Sequence, residues 1–325
     1  MNIYGEYEDY LKKMSKEKLL GIVTDYNKFS TIYGKESINV NKKDKKEDVI
    51  KVIGEIKEDY FKYLVMSLDL EDFAVLKQLV TKKVNNDYLN AFKNCIEYFI
   101  AKAIVFQEND LMLAWDTKDM LKKIIKDKEV VKEIKKSNRL YKLVDGIIVA
   151  YGVVSRKYFD MIMDKEEEKE QIIEKLDNYY KKEYVIDNKK IMSNKLSNKK
   201  RINSYVKNDK YKMFTNKEFI EMGNNNYHHG IKCYKRFIKM LKNNYVFRNS
   251  DIEYVDKNIV IPYLYNSLNE EEIAKKNLED TVTKLFEFKG DKLKQKMLEE
   301  IMKIRDEFPL WEYRGFTKLE VNNEE

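Results

Sequence analysis

DYLNAFKNCIEYFIAKAIVFQENDLMLA, residues 87–114, changes period part-way along. Tyr88, Phe92, Cys95, Ile96 and Phe99 recur three or four residues apart, which puts them on one face of a helix over 87–101. After it comes the short apolar run Ala103–Phe106, then the polar turn Glu108-Asn109-Asp110, then a second run, Leu111–Ala114. Two short apolar runs around a polar turn predict a β-hairpin. Upstream, Phe61, Leu64 and Val65 support a helix near 56–66, and Phe73, Leu76, Leu79 and Val80 support one over 70–82. Three helices followed by a hairpin is the order of a winged helix. The expected fold class is therefore mainly α: a helical bundle with short β-hairpins and winged-helix-like units.

The same order recurs downstream without residue-level identity. Helices are expected at 117–126, 129–150 and 156–164, with Ser155 capping the last and a tight break at Tyr151-Gly152-Val153-Val154. A charged helix runs from Lys165 to about Tyr180, and Glu183–Ile186, Asp187-Asn188 and Lys190–Met192 read as a second hairpin. Toward the N-terminus, Tyr7, Tyr10, Leu11 and Met14 share a helical face. Ser15 reads as the N-cap of a helix carrying Leu19, Leu20, Val23 and Tyr26. A polar stretch, Asn27–Lys43, follows, with Ser37–Val40 extended, and Asp44 to Glu47 reads as a capping box for a helix through Val49, Ile50, Val52 and Ile53. Lys195–Lys212 is polar and basic, Thr215 to Glu218 is another capping box, and helices are expected near 257–266, 270–288 and 292–306. The implied organisation is a helix–extended–helix module (1–55), a winged-helix-like unit (56–126), a second helix–wing unit (127–194) and a C-terminal helical domain with a Trp-containing tail (195–325).

Composition excludes several classes. The 325 residues include 2 Cys, 2 His, 2 Pro and 10 Gly. Two cysteines cannot build a disulfide scaffold or an all-cysteine zinc site. The apolar content, 43%, is enough to bury a core. No P-loop, dinucleotide fingerprint, HExxH or nucleophile elbow is present, so no catalytic motif argues for an enzyme. The N-terminus has no apolar signal segment, and Leu143–Val154, broken by Asp145, is far shorter than the roughly 20 residues of a membrane span. The expected location is cytoplasmic, with no membrane partner and no cofactor.

Charge is unevenly distributed. Lysine outnumbers arginine 56 to 7, a bias that an AT-rich genome would produce by itself. The net charge is +7 overall, but residues 191–250 carry 14 basic and 3 acidic residues, and residues 251–325 carry 12 basic and 18 acidic ones. Lys199, Lys200 and Arg201 lead into Lys207, Lys210 and Lys212, with Tyr205 and Tyr211 interleaved. Lysines at that density suit phosphate contacts, and tyrosines can stack or donate. Lys42, Lys43, Lys45 and Lys46 surround the start of a helix, whose free N–H groups also attract phosphate. The candidate nucleic-acid contacts are these two sets, Tyr205 included; solvated faces and codon bias are the competing explanation.

Other clusters carry less. His228, His229 and Cys233 are the only grouped metal-type side chains, and on one helix His229 and Cys233 would share a face. Zinc needs about four ligands, so the expected reading is a partly exposed His pair beside a buried thiol, with no metal. Asp69, Glu71 and Asp72, and Asp251, Glu253 and Asp256, are close in sequence, but among 56 acidic residues that spacing decides nothing. Phe308, Pro309, Trp311 and Phe316 read as a tail folded back on the core, with Gly315 supplying an unusual backbone angle and Arg314 a local carboxylate contact.

Two segments carry resemblances. Met14-Ser15-Lys16-Glu17-Lys18-Leu19-Leu20, with Lys45-Lys46-Glu47-Asp48-Val49-Ile50 after a gap, resembles helix–extended–helix modules of the SAP and Rho N-terminal type, which implies nucleic-acid contact. Phe308 to Glu320 resembles the P-x-W-x-x-[KR]-G-[YHF]-[ST]-x-x-E-[LV] segment of helical proteins from low-GC Gram-positive bacteria and their phages. Several of those carry a Cys-rich SEC-C zinc tail, absent here because no cysteine follows Cys233. This resemblance implies a fold class and no activity.

The leading expectation is a non-enzymatic nucleic-acid-binding protein, DNA foremost, of regulatory, phage or mobile-element type. Lysines would hold phosphate while a helix near 87–101 or 156–164 is presented to a groove. The alternative is a protein–protein adaptor or host-defence modulator; a metal-dependent nuclease ranks third.

Overall fold

The computed structural model describes residues 2–322 except 4, 83, 109, 164–168, 197–209, 266–270 and 289. The protein is mainly helical, with two small three-stranded sheets among the described residues. It gathers into two compact units, Met1–Leu140 with Glu168–Tyr180, and Tyr141–Glu167 with Lys181–Glu325.

The first unit holds β1 (Asn2–Ile3), α1 (Tyr7–Lys13), α2 (Lys16–Ile32), α3 (Lys46–Met66), α4 (Leu70–Thr81), α5 (Asn86–Ala91), α6 (Lys93–Ala101), β2 (Phe106–Gln107), β3 (Leu111–Leu113), α7 (Trp115–Ile124), residues 128–140 of α8 (Lys128–Tyr151) and α10 (Lys169–Asn178). Its core is continuous from Tyr7 to Ile134. Asp116 in α7 joins α1 and α3: Oδ1 accepts the Tyr7 N–H at 3.0 Å and Oδ2 pairs with Lys57 at 2.5 Å.

The expected hairpin is present, with Phe106 opposite Met112 and Gln107 opposite Leu111. Its first strand starts later than Ala103, because Ala103 takes a left-handed φ of 56° and the Ile104 N–H folds back to the Phe99 carbonyl. β1 adds to the other side of β3 in parallel, which the sequence pattern did not suggest. The 87–101 helix divides at Phe92, whose φ −114° and ψ 30° leave the helical range.

Three further expectations are corrected. α2 does not end at Asn27: Phe29 and Ile32 prolong the buried stripe of Leu19, Val23 and Tyr26. The helix expected after Asp44 and the one near 56–66 form one helix, α3. Asp44 is not its cap, since its carboxylate accepts the Asn41 N–H at 2.7 Å and Lys45 occupies the cap position without a side-chain bond. Ser15 does cap α2, accepting from the Lys18 N–H. Residues 37–40 form no strand; instead Asn27 brackets Ile38, donating to its carbonyl at 2.8 Å and accepting its N–H at 2.7 Å.

The second unit holds β4 (Val153–Ser155), α9 (Arg156–Met163), β5 (Tyr184–Ile186) and β6 (Lys190–Ser193), followed by helices Asn216–Gly223, Lys232–Asn244, Asn249–Val255, Ile261–Leu264, Glu271–Leu285, Asp291–Asp306 and Lys318–Asn322. The second hairpin forms as expected, its turn fixed by Asp187 accepting the Lys189 and Lys190 N–H groups at 2.7 Å. The break at Gly152 leads into β4, which pairs antiparallel with β6. Thr215 and Glu218 form the expected capping box. Between Val255 and Ile261 the helix loosens into a π-turn, Asp256–Val260. Cys233, Phe237, Leu241, Ile259, Val260, Leu264, Val282, Met297, Ile301, Ile304 and Phe308 form the core of this part. No described helix is long and apolar enough to cross a membrane.

Candidate functional site

The first basic set lies at one end of α2 and α3. α2 spans about 25 Å at 1.5 Å per residue, and the connecting residues 33–45 can reach about 40 Å when extended. The Asn27 bracket on Ile38 draws that connection back along α2. At the far end the Lys16 ammonium donates to the Lys42 carbonyl at 2.6 Å, and Lys46 donates to the Lys12 carbonyl at 2.6 Å. The N-termini of α2 and α3 therefore lie together. Both helix dipoles present their positive ends there. Lys42, Lys43 and Lys45 are exposed and form no ion pair among the described residues. Glu17, Asp44, Glu47 and Asp48 are interspersed, so the end is mixed in charge rather than uniformly basic.

The second basic set is mostly out of view. Lys199, Lys200, Arg201, Tyr205 and Lys207 lie outside the described residues. Lys210 is exposed. Lys212 is committed elsewhere: its ammonium pairs with Glu320 at 2.5 Å and lies over the Phe214 ring. Tyr211 stacks on Tyr158 at 4.1 Å and carries the Arg314 guanidinium at 4.6 Å, so both of these side chains serve the tail.

A third cluster assembles residues the sequence did not group. Tyr227–Gly230 is a 3-10 turn, and Ile231 separates it from the helix containing Cys233. His229 and Cys233 consequently do not share a helical face. Cys233 donates to Glu307 at 2.8 Å, and burial together with that carboxylate pushes its thiol up to about 11. The histidines meet Asp256 instead. His229 Nε2 is 2.8 Å from Oδ2, and the Tyr234 hydroxyl donates at 2.9 and 3.0 Å to the two oxygens. His228 is fully buried, with Nδ1 3.4 Å from the Tyr265 hydroxyl. Its Nε2 lies 3.3 Å from Asp256 Oδ1, an ion-pair distance, but closes no hydrogen bond there or elsewhere. Burial holds His228 below the usual histidine range, the Asp256 charge notwithstanding. Burial would raise the Asp256 carboxyl, but His228, His229 and Tyr234 outweigh it and keep it ionised. Asp256 opens the π-turn, a local widening that recurs at functional sites. It lies 27 residues beyond His229, a spacing that carries no signal in the sequence.

The acidic group Asp69, Glu71 and Asp72 has a structural explanation. Asp69 caps α4 through the Asp72 N–H, and Tyr179 and Tyr180 donate to Asp69 and Asp72 at 3.1 and 2.7 Å. Tyr180 in turn stacks on Tyr98 at 3.9 Å, so the pair anchors the segment after α10. No family model, curated protein or solved structure matches this chain.

Proposed function

We propose that the first unit binds the phosphate backbone of nucleic acid, DNA foremost, through the joined N-termini of α2 and α3. The observation that carries this reading is the approach of Lys16 to Lys42, which brings two helix N-termini and lysines from both segments to one surface. Unpaired lysines attract phosphate and release counterions, and free helix N–H groups accept an anion. The helix–extended–helix order of α2 and α3 supports the likeness to SAP and Rho N-terminal modules. The contacts would be Lys16, Lys42, Lys43, Lys45 and Lys46, with Lys199, Lys200 and Arg201 as a second set. Lys212, held by Glu320, is a poorer candidate than its place in the sequence suggests. Lysine point charges favour backbone binding without base selection. That role is non-enzymatic and suits a regulatory, phage or mobile-element protein.

The test is fluorescence-anisotropy titration of generic double-stranded DNA with the full chain at several salt concentrations. Lys42, Lys43 and Lys45 are changed together to Ala in one variant, and Lys199, Lys200 and Arg201 in another. Binding near the micromolar range is expected, with the first variant losing about three units of the log–log salt slope. No binding at low salt would overturn the reading in favour of a protein–protein adaptor.

A further inference from the structure

The second unit contains a set of donor atoms placed closely enough to share a cation. One ring nitrogen each of His228 and His229 and a carboxylate oxygen of Asp256 all lie within 4.8 Å of one another. Tetrahedral zinc with bonds near 2.0–2.2 Å holds its ligand atoms about 3.3–3.5 Å apart. His228 Nε2 lies 3.3 Å from Asp256 Oδ1, within that span, while His229 Nε2 lies 2.8 Å from Oδ2, closer than two ligand atoms of one zinc ion. Small side-chain movements would suffice.

His228 makes the stronger argument. A buried polar nitrogen without a partner costs about 1–3 kcal/mol unless something satisfies it. Its Nδ1 faces the Tyr265 hydroxyl. In the tautomer that carries its proton on Nδ1, Nε2 turns a lone pair toward the Asp256 carboxylate, 3.3 Å from Oδ1. Hydrogen bonding of one ring nitrogen to an outer partner while the other binds metal is the usual arrangement of a histidine ligand. Tyr234 supports Asp256 in the same way, fixing the carboxylate from the side. The π-turn places Asp256 beside the histidines at the point where the helix departs from α geometry.

We infer that His228, His229 and Asp256 form a binding site for one divalent transition-metal ion of the zinc class. Two imidazoles and one carboxylate are a donor set that zinc, cobalt and ferrous iron accept, whereas calcium and magnesium prefer all-oxygen sites. Three protein ligands leave a fourth position for water or an exogenous group. His229 is half-exposed, so an ion can enter from its side without unfolding the core. Binding would join the 3-10 turn to the helix that follows Asn249. The inference is independent of the nucleic-acid reading, since it concerns other residues and a different unit.

The test uses Co2+ as the probe, because its d–d absorption reports coordination directly. The full chain, freed of metal by chelation, is titrated with Co2+ and then with competing Zn2+. One equivalent of Co2+ is expected to give tetrahedral bands that Zn2+ abolishes, and Zn2+ is expected to raise the thermal midpoint. His229→Ala and Asp256→Asn are each expected to weaken binding by about 100-fold or more while the far-UV circular dichroism is kept. His229 is on the surface, so His229→Ala decides the matter even if Asp256→Asn disturbs folding. Absence of the Co2+ bands at stoichiometric metal would overturn the site, as would unchanged binding in His229→Ala.

Discussion

Gly152 lies against the face of the Trp311 indole so closely that a Cβ there would sit 2.7 Å from Cε3 and from Cγ. Gly152 also has a φ of 65°, a conformation that L side chains adopt at a cost. The indole N–H donates to the Val149 carbonyl at 2.8 Å, at the end of α8. The Trp311 segment is thereby held on α8 and β4 by one ring, one hydrogen bond and one missing methyl group. Gly315, at φ 90°, turns the chain beside Tyr151 and Phe214.

Gly152→Ala should therefore destabilise the protein by at least about 2 kcal/mol, through backbone strain and overpacking together. Trp311→Ala should cost about 3–5 kcal/mol by leaving a cavity. Urea denaturation followed by circular dichroism measures both. A Gly152→Ala variant within about 0.5 kcal/mol of wild type would contradict the packing described.

The two tryptophans report on different units. Trp115 in the first is 50% exposed, and Trp311 in the second is 6% exposed. Trp115→Phe should leave a blue-shifted emission that acrylamide quenches poorly, and Trp311→Phe a red-shifted emission that it quenches well. Reversed accessibilities would show that the tail is not seated.

Much of the architecture was legible in residue spacing. The apolar stripes of α3, α4 and α6 and both hairpins follow from local period, because each element buries one face on its own unit. Junctions were less legible. Asn27 looks like the start of a polar loop, yet it sits inside α2, whose buried stripe runs on to Phe29 and Ile32, and its amide serves Ile38 across the connection. Asp44 has the capping residue type but is used by Asn41. β1 has too few residues to show a period and exists by pairing with β3. The candidate sites were half legible. Lys42, Lys43, Lys45 and Lys46 were visible as a run, but Lys16 joins them only through the return of the chain. His228 and His229 were visible as a pair, while Asp256, Tyr234 and Tyr265 meet them through tertiary structure, and Cys233 turns away to Glu307.

Asn27 offers a local test of that return. Asn27→Ala removes both bonds to Ile38, and a loss of about 1–3 kcal/mol is expected. Amide hydrogen exchange should accelerate at Ile38 more than within α3. Unchanged protection at Ile38 would mean that the extended segment is held by other contacts.

Cys233 should be chemically quiet. Its thiol, pushed up to about 11 by burial and the Glu307 carboxylate, holds a thiolate fraction of only about 10⁻³ at pH 8. Cys95 is buried as well. Iodoacetamide at pH 8 should leave both unmodified in the native protein and modify both in urea, as read by intact mass. Rapid native alkylation of Cys233 would indicate that the Glu307 contact is not maintained.

Glu320 should make the tail acid-sensitive. Its Oε1 pairs with Lys212 at 2.5 Å, and its Oε2 accepts the Thr317 N–H at 2.8 Å. Burial alone would raise this carboxyl, but Lys212 and Thr317 outweigh it, so the folded chain holds it below the ordinary glutamate value. A depressed folded value means that the stabilisation is present in full above the unfolded value of about 4.3 and is lost as pH falls through the folded one. Glu320 is 42% exposed, so solvent screening limits the pair to under about 1 kcal/mol. Glu320→Gln should lower the urea midpoint at pH 7, and the gap to wild type should narrow as pH falls below about 4.3 and through the folded value. A gap that stays constant from pH 7 to pH 3 would show that the charge on Glu320 contributes nothing, and that its role is confined to the turn it forms with Thr317.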